Sequence, residues 1–452
     1  MAWAARMALS LLEHIRFGYG PFGTDAPISG GIDADRLLAQ LDGDDPSDAL
    51  WARPGLGERH KLLVIALAQK KAGKVVPDGA AQQLKDIVQA DQASFVGRPA
   101  TTLLGFRERL VNLWANRLTV AAGPGERAIL VQPYRDGAIR PHISGRYADL
   151  LAASLWHPAM QLYLDQVTSI GPNSRVGLRR QKGLNENLAR EFLELHSMGS
   201  GYTQSDVTEL ARLLAGMVSD ASGNSVDPRR VEPGEKHILG QTYGGKGADP
   251  QGEISRFVQD VAARPETAAS TAHFIARHFI ADDPPADLVT SLTAAYQTND
   301  GALIPVYRAL LTHPAAQGTA RLKLRSPQEY VAATLRAAGL VGHEKGVPGI
   351  AKRGLRIPEA MARMGQPIYR PRRPDGWPEV ASGWMTAPTL AARIDWATTL
   401  ARAVSARADP VQLTTNLLGD LGTPLTQSAV RGAEQRWEGV AVLLASPDFM
   451  RR

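Results

Sequence analysis

Residues 106–118 read FRERLVNLWANRL. Phe106, Leu110, Leu113, Trp114 and Leu118 fall at i, i+4, i+7, i+8 and i+12, one face of an α-helix. The same period recurs at Leu184, Leu188, Phe192 and Leu195. Glu58 to Lys71 carries an unbroken apolar middle, Leu62 to Ala68, and stops at Gly73. Thr203 and Asp206 form a capping box opening a helix that runs to about Gly216. Ser326, Pro327 and Glu329 give a fuller one, with Pro at the first helical position, for a helix closing at Gly339. Thr389–Arg407 and Gln427–Ala445 are further amphipathic stretches, whereas strand alternation is scarce. The reading is an all-α chain with irregular Gly/Pro-rich loops and at most a minor β-hairpin.

Two punctuated zones, Ser222–Gly252 and Gly342–Gly383, interrupt the helical pattern. Both hold aromatic anchors (Tyr243; Tyr369, Trp377, Trp384) that favour packing onto the body over a free linker. We therefore expect one large domain over 1–452: an N-terminal lobe of about 1–221, an irregular connector 222–252 that can hold a short hairpin, and a C-terminal lobe 253–452. No repeat of fixed period is present.

The 452 residues are 44% apolar, enough for a sizeable core, and contain no cysteine. Disulfides, thiolate metal sites, cysteine nucleophiles and iron–sulfur clusters are thereby excluded. Net charge is +6, and it is localised. Between Ile350 and Asp375 stand seven basic residues and two acids, with Lys352, Arg353, Arg356, Arg370, Arg372 and Arg373 as the candidate partner-binding set. Arg175, Arg179, Arg180 and Lys182 form a smaller acid-free cluster. Such runs read as solvated loops or as a docking surface for an anionic partner. Zinc spacings, ribonucleoprotein motifs and basic heptads are absent, so no nucleic-acid partner is expected. Arg6 and Glu13 bracket too short an apolar run for a secretory signal, and no stretch is apolar enough to span a membrane. The default location is cytoplasmic, with export to the periplasm alongside a signal-bearing partner as the alternative.

The densest polar cluster is Asn185–His196, NENLAREFLELH. Glu186, Arg190 and Glu194 fall at i, i+4 and i+8, a salt-bridge ladder. On an α-helix Glu194 and His196 lie about 200° apart, and Glu191 and His196 about 140°, so neither pair alone can grip a metal. Ligation requires side chains from other helices. The candidate cleft joins Arg140, His142, Asp165, Glu186, Arg190, Glu191, Glu194 and His196, a carboxylate–imidazole set able to do acid/base work or to bind a divalent metal. No metal site is assigned outright. His142 and His157, beside Pro141 and Pro158, read as turn-stabilising hydrogen-bond formers or as cleft members. Arg117 falls on the apolar stripe of 106–118 and must be paired; the expected partner is a carboxylate, from Asp165, Glu186 or Glu191. Gly240–Gly247, GQTYGGKG, nearly spells a phosphate-binding loop, but Gly247 stands where Ser or Thr should reach magnesium. No Gly-x-Ser-x-Gly elbow and no His-x-x-x-His pair occurs.

Taken in order, nine segments resemble the bacterial domain-of-unknown-function 1800 family. They are RFGYG (16–20), IRPH (139–142), HPAM with YLD (157–165), GPNS (171–174), NENLAREFLELH followed by GYT (185–203), EPG with LG (232–240), KLRSPQE (323–329), MGQP with GW (364–377) and SPDF (446–449). The resemblance implies a helical, largely uncharacterised bacterial protein. Its relatives are often encoded beside a sulfatase-like protein that carries a twin-arginine export signal. Two departures stand out. Members commonly read Trp-x-Asn-His-Phe where this chain has Trp114, Asn116, Arg117 and Leu118, and often place a His where Val231 stands. The first functional reading is an accessory or binding protein acting with the sulfatase-like partner through the basic loop. The alternative is a metal-assisted or acid/base enzyme with its cleft on the Asn185–His196 helix.

Overall fold

A computed structural model describes residues 9–26, 28–72, 79–123, 125–220, 223–341, 355–404 and 408–452. Helix accounts for 63% of it, and the strands form only two small hairpins, so the chain is all-α with minor β structure. The elements that matter below are α1 (Leu11–Arg16), α2 (Leu56–Lys71), α3 (Ala80–Thr101) and α4 (Gly105–Arg117). They continue with α5 (Gln204–Leu214), α6 (Pro250–Ala262), α7 (Pro265–Phe279) and α8 (Pro327–Ala337). The last are α9 (Ala387–Val404), α10 (Pro424–Arg431) and α11 (Arg436–Ala445).

The caps form where the sequence places them. Thr203 accepts from the Asp206 amide and Asp206 returns the bond, opening α5. Ser326 and Glu329 do the same for α8, with Pro327 at its first position. A third box, Ser10 with Glu13, opens α1. The Gln427–Ala445 stretch is broken in two, because Gly432 ends α10 before α11 begins at Arg436. The Asn185–His196 stretch also departs from regular helix. It is α-helical over Asn187–Glu191 and then π-helical over Phe192–Ser197, where the Ser197 hydroxyl back-bonds to the Phe192 carbonyl at 2.7 Å. A π-turn resets the angular spacing that an α-helix would impose.

The connector contains the hairpin β3 (Glu235–Ile238) and β4 (Gln241–Gly244), paired Glu235 to Gly244 and Ile238 to Gln241. A second hairpin, β1 (Met217–Asp220) and β2 (Gly223–Val226), lies just ahead of it. Its first strand was not foreseen, since four residues are too few to show a period.

One contiguous apolar core runs from Leu9 to Met450. The stripe of α4 is its centre: Phe106, Leu110, Leu113, Trp114 and Leu118 are all fully buried. Phe106 meets Phe17, Phe279 and Tyr307 at ring-centroid distances of 5.8, 5.8 and 6.0 Å. α3 packs on α8, and α9 on α11, closing the layers around it. The aromatic anchors of both punctuated zones are drawn into the body: Tyr243, Tyr369 and Trp384 are buried, and the Ala122 amide donates to the Tyr369 carbonyl at 2.6 Å. No helix among the described residues is long and apolar enough to cross a membrane.

Gly97 shows how close the packing is. A Cβ there would sit 2.0 Å from the six-membered ring of Trp51, whose indole nitrogen donates to Thr101 at 3.0 Å. Gly97→Ala is expected to lower stability by about 1–3 kcal/mol, as overpacked cores do. Urea unfolding of the two proteins checks this, and an unchanged midpoint would contradict the contact.

Candidate functional site

The face of α4 beside the apolar stripe carries Arg109, Asn112 and Asn116, which fall at i, i+3 and i+7. Each lines one partly open cavity of about 70 Å³, whose walls include Tyr369, Trp377, His278, Glu329, Glu379 and Arg452. That is room for several waters or a small polar molecule.

Arg109 is essentially fully buried. Its Nε donates to the Gly18 carbonyl at 2.9 Å and its Nη1 to Glu329 Oε1 at 2.6 Å. Glu329 is placed by its own capping box, where Oε2 accepts from the Ser326 amide at 2.9 Å and also from Arg452 Nε at 3.2 Å. Arg452 is brought in by a bridge between Leu324 and Arg451. Burial alone would raise the Glu329 pKa, but Arg109 and Arg452 outweigh it and hold the carboxyl far below the usual range.

His278 comes from the end of α7. Its Nδ1 lies 2.8 Å from Glu379 Oε2, and its Nε2 lies 3.4 Å from Arg109 Nη1. A guanidinium can only donate, so Nε2 accepts and Nδ1 carries the proton toward Glu379. Burial pushes the imidazole pKa down, and Glu379 partly offsets this, so the ring is neutral at pH 7. Asn116 holds the other Glu379 oxygen at 2.8 Å and clamps Trp377 through both its amide (2.7 Å) and its carbonyl (3.0 Å). Lys323 closes the wall, donating to Asp282 Oδ1 at 2.5 Å and to the Glu379 carbonyl. An imidazole held by a carboxylate inside a cationic pocket is the arrangement of a general base.

The residues singled out by sequence fall into other networks. Arg140 pairs with Glu108 at 2.7 Å and Asp136 at 3.3 Å. Burial opposes its charge, but Glu108 and Asp136 keep the guanidinium firmly protonated. His142 Nδ1 bonds the Ala138 carbonyl at 3.0 Å, and His157 Nδ1 accepts from the Ala159 amide at 3.1 Å, the turn-stabilising role. Asp165 takes a left-handed backbone, φ 57°, ahead of a short helical turn. Glu186 accepts from Arg190 (3.3 Å), Gln204 (2.9 Å) and Thr208 (2.7 Å), so the first rung of the ladder forms. Glu194 is exposed and accepts from the Tyr202 hydroxyl at 3.1 Å. Burial, then the neighbouring Glu194, pushes the Glu191 pKa up. His196 is buried, and its Nε2 has no partner among the described residues. Among the described residues, no three His, Asp or Glu side chains are placed to hold one metal ion.

One expectation is corrected. Arg117 is buried and bonded, but to neutral groups: Tyr147 Oη at 3.2 Å, the Ser197 carbonyl at 3.1 Å and Ser270 Oγ at 2.7 Å. Its guanidinium lies 4.9 Å from the centroid of the Phe274 ring. Three acceptors and an aromatic face replace the carboxylate. The Gly240–Gly247 stretch is no phosphate cradle. Leu239 and Gly240 form the β3–β4 turn with positive φ, and the N-terminus of α6 is filled by Asp249, which accepts from Gln251 (3.2 Å) and Gly252 (2.9 Å). Of the basic set, Arg356, Arg370, Arg372 and Arg373 are exposed, while Lys352 and Arg353 lie outside the described residues.

Sequence reasoning passed over His278 and Glu379. They are 101 residues apart, and Arg109 and Glu329 are 220 apart, so no spacing rule could join them. The one available signal was Glu329, whose capping box was legible.

The family model described as "Protein of unknown function (DUF1800)" matches residues 14–451, nearly the whole chain. No curated protein and no solved structure matches it.

The buried histidines make stability depend on pH. Burial, with Arg117 nearby, pushes His196 down to about 3. The unfolded chain protonates this ring as pH falls below about 6.5, whereas the folded chain does not, so acidification favours unfolding. As pH falls from about 6.5 toward about 5 the expected loss from this residue steepens toward about 1.4 kcal/mol per pH unit. Urea midpoints measured across that range should fall, and His196→Gln should flatten the slope by that amount.

Proposed function

The chain belongs to the DUF1800 family, and from that premise we propose that it is an acid/base enzyme acting on a small molecule in this cavity. The observation that carries this reading is the 2.8 Å contact of His278 with Glu379 on the cavity wall. His278 Nε2 is the atom that takes a proton, and its 3.4 Å contact with Arg109 is long enough for a substrate hydroxyl or amine to displace. Glu379 orients the ring and offsets the charge formed when Nε2 is protonated. Lys323 and Asn116 fix Glu379 from behind, so the pair is pre-organised before any ligand enters. Incubating the purified protein with a small-molecule cell extract and following depletion by mass spectrometry tests the proposal. At least one compound should be consumed, and His278→Asn should slow that consumption by about a hundredfold or more. Equal consumption by both proteins, or none by either, rejects it.

A second reading is supported by a different feature. Arg356, Arg370, Arg372 and Arg373 are all exposed, and only Arg373 has an acidic partner, Asp375, among the described residues. Exposed arginines without counter-charges suit an accessory protein that docks an acidic surface, with the sulfatase-like neighbour of its relatives as the candidate and the periplasm as a location reached in its company. Changing all four arginines to Glu should abolish binding to that neighbour. The native complex should weaken as salt rises, as steered association does. Salt-independent binding, or binding by the four-Glu variant, excludes this face.

A further inference from the structure

Resting on the cavity as a ligand site, we infer that its ligand is a small organic carboxylate, held between the guanidinium groups of Arg135 and Arg452. The charge balance of the walls comes first. Arg109, Arg135, Lys323 and Arg452 line the cavity against only two carboxylates, Glu329 and Glu379. Including the adjoining Asp282 and the buried Arg325 leaves the surplus of positive charge unchanged, with His278 neutral.

The surplus falls on identifiable atoms. Arg109 and Lys323 are consumed by Glu329 and Asp282. Arg452 gives Nε to Glu329 and Nη2 to the His278 carbonyl at 2.8 Å, but its Nη1 is buried without a partner. Arg135 makes no ion pair among the described residues. It donates to the Asn112 side-chain oxygen and lies about 6 Å from the centroids of the Phe95 and Tyr369 rings. A buried guanidinium without a counter-charge is costly, and a bound oxyanion removes that cost while accepting charge-assisted hydrogen bonds. Burial first, and neighbouring cations after it, push Arg109 and Arg325 down to about 10 and about 9.

The walls also select what is attached to the anion. Phe95, Tyr369 and Trp377 present aromatic surface to the same cavity. Inorganic phosphate or sulfate would leave that surface facing water, whereas a short organic body covers it. A cavity of about 70 Å³ limits that body to a few heavy atoms.

The test compares each carboxylate with its neutral amide on the native protein, by two-dimensional NMR that reads the indole signals of Trp377 and Trp384. Acetate and propionate are set against acetamide and propionamide, with inorganic phosphate and sulfate as further probes. The carboxylates should bind about tenfold or more tighter than their amides. Arg135→Gln should erase that preference; Arg452→Gln replaces it if the first variant does not fold. Equal binding of acid and amide overturns the carboxylate assignment and leaves the cavity as a ligand site. Tighter binding of phosphate or sulfate than of any carboxylate overturns the organic part. Binding that leaves both indoles unmoved, or no binding in either series, overturns the inference together with the reading on which it rests.

Discussion

The carboxylate of Glu329 is the constraint around which the interior is arranged. It accepts from Arg109 on α4, from Arg452, and from the Ser326 amide that opens α8. Four segments distant in the chain are thereby tied at one point, because Arg452 also holds the His278 carbonyl. Glu329, Arg109, Arg452 and His278 are all buried, so none of them can be left to water. Removing one partner of such a buried set typically costs about 3–5 kcal/mol, because the remaining charge is stranded. Replacing the whole set by apolar residues would often be neutral or stabilising, so stability alone is a weak reason for its presence.

The second punctuated zone supplies one wall of the cavity. Asn116, on the polar face of α4, grips both backbone groups of Trp377 and one oxygen of Glu379. Gly376 makes the approach feasible: it has φ +80°, and a Cβ there would lie 2.5 Å from the Asn116 carbonyl. Irregular backbone can bring a tryptophan, a carboxylate and a tyrosine to one surface with no helical period relating them. Tyr369 hydrogen-bonds across to Gln132 at 2.5 Å and to the Asp91 carbonyl at 3.1 Å, tying this wall to the N-terminal helices.

What could be read from sequence follows from the range of the interactions. The α4 stripe, the boxes at Thr203 and Ser326 and the β3–β4 hairpin depend on neighbours a few residues apart, and all appear. The partner of Arg117 was missed for a physical reason. A buried guanidinium demands acceptors, and a carbonyl, a hydroxyl and an aromatic face meet that demand as well as a carboxylate does. The π-turn at Phe192–Ser197 was invisible because nothing in the residue types distinguishes it from α-helix. The cavity was invisible because it exists only after folding, being assembled from α4, α7, α8 and the loop that carries Glu379.

Two buried imidazoles then differ in what they can do. His196 faces a cation, Arg117, and its Nε2 has no partner among the described residues to stabilise an added proton. Burial first, and then the charge of Arg117, push its pKa down to about 3. His278 is equally buried, yet Glu379 stands 2.8 Å from its Nδ1 and supplies the negative charge that an imidazolium needs. Burial above all, and then the guanidiniums of Arg452 and Arg109, oppose that charge, and the balance lowers the imidazole pKa. An incoming anion would shift the balance toward protonation by lowering the positive potential around Nε2. Ligand charge and proton affinity are therefore coupled at His278 and uncoupled at His196, and it is this coupling that the proposed acid/base reading of the cavity rests on.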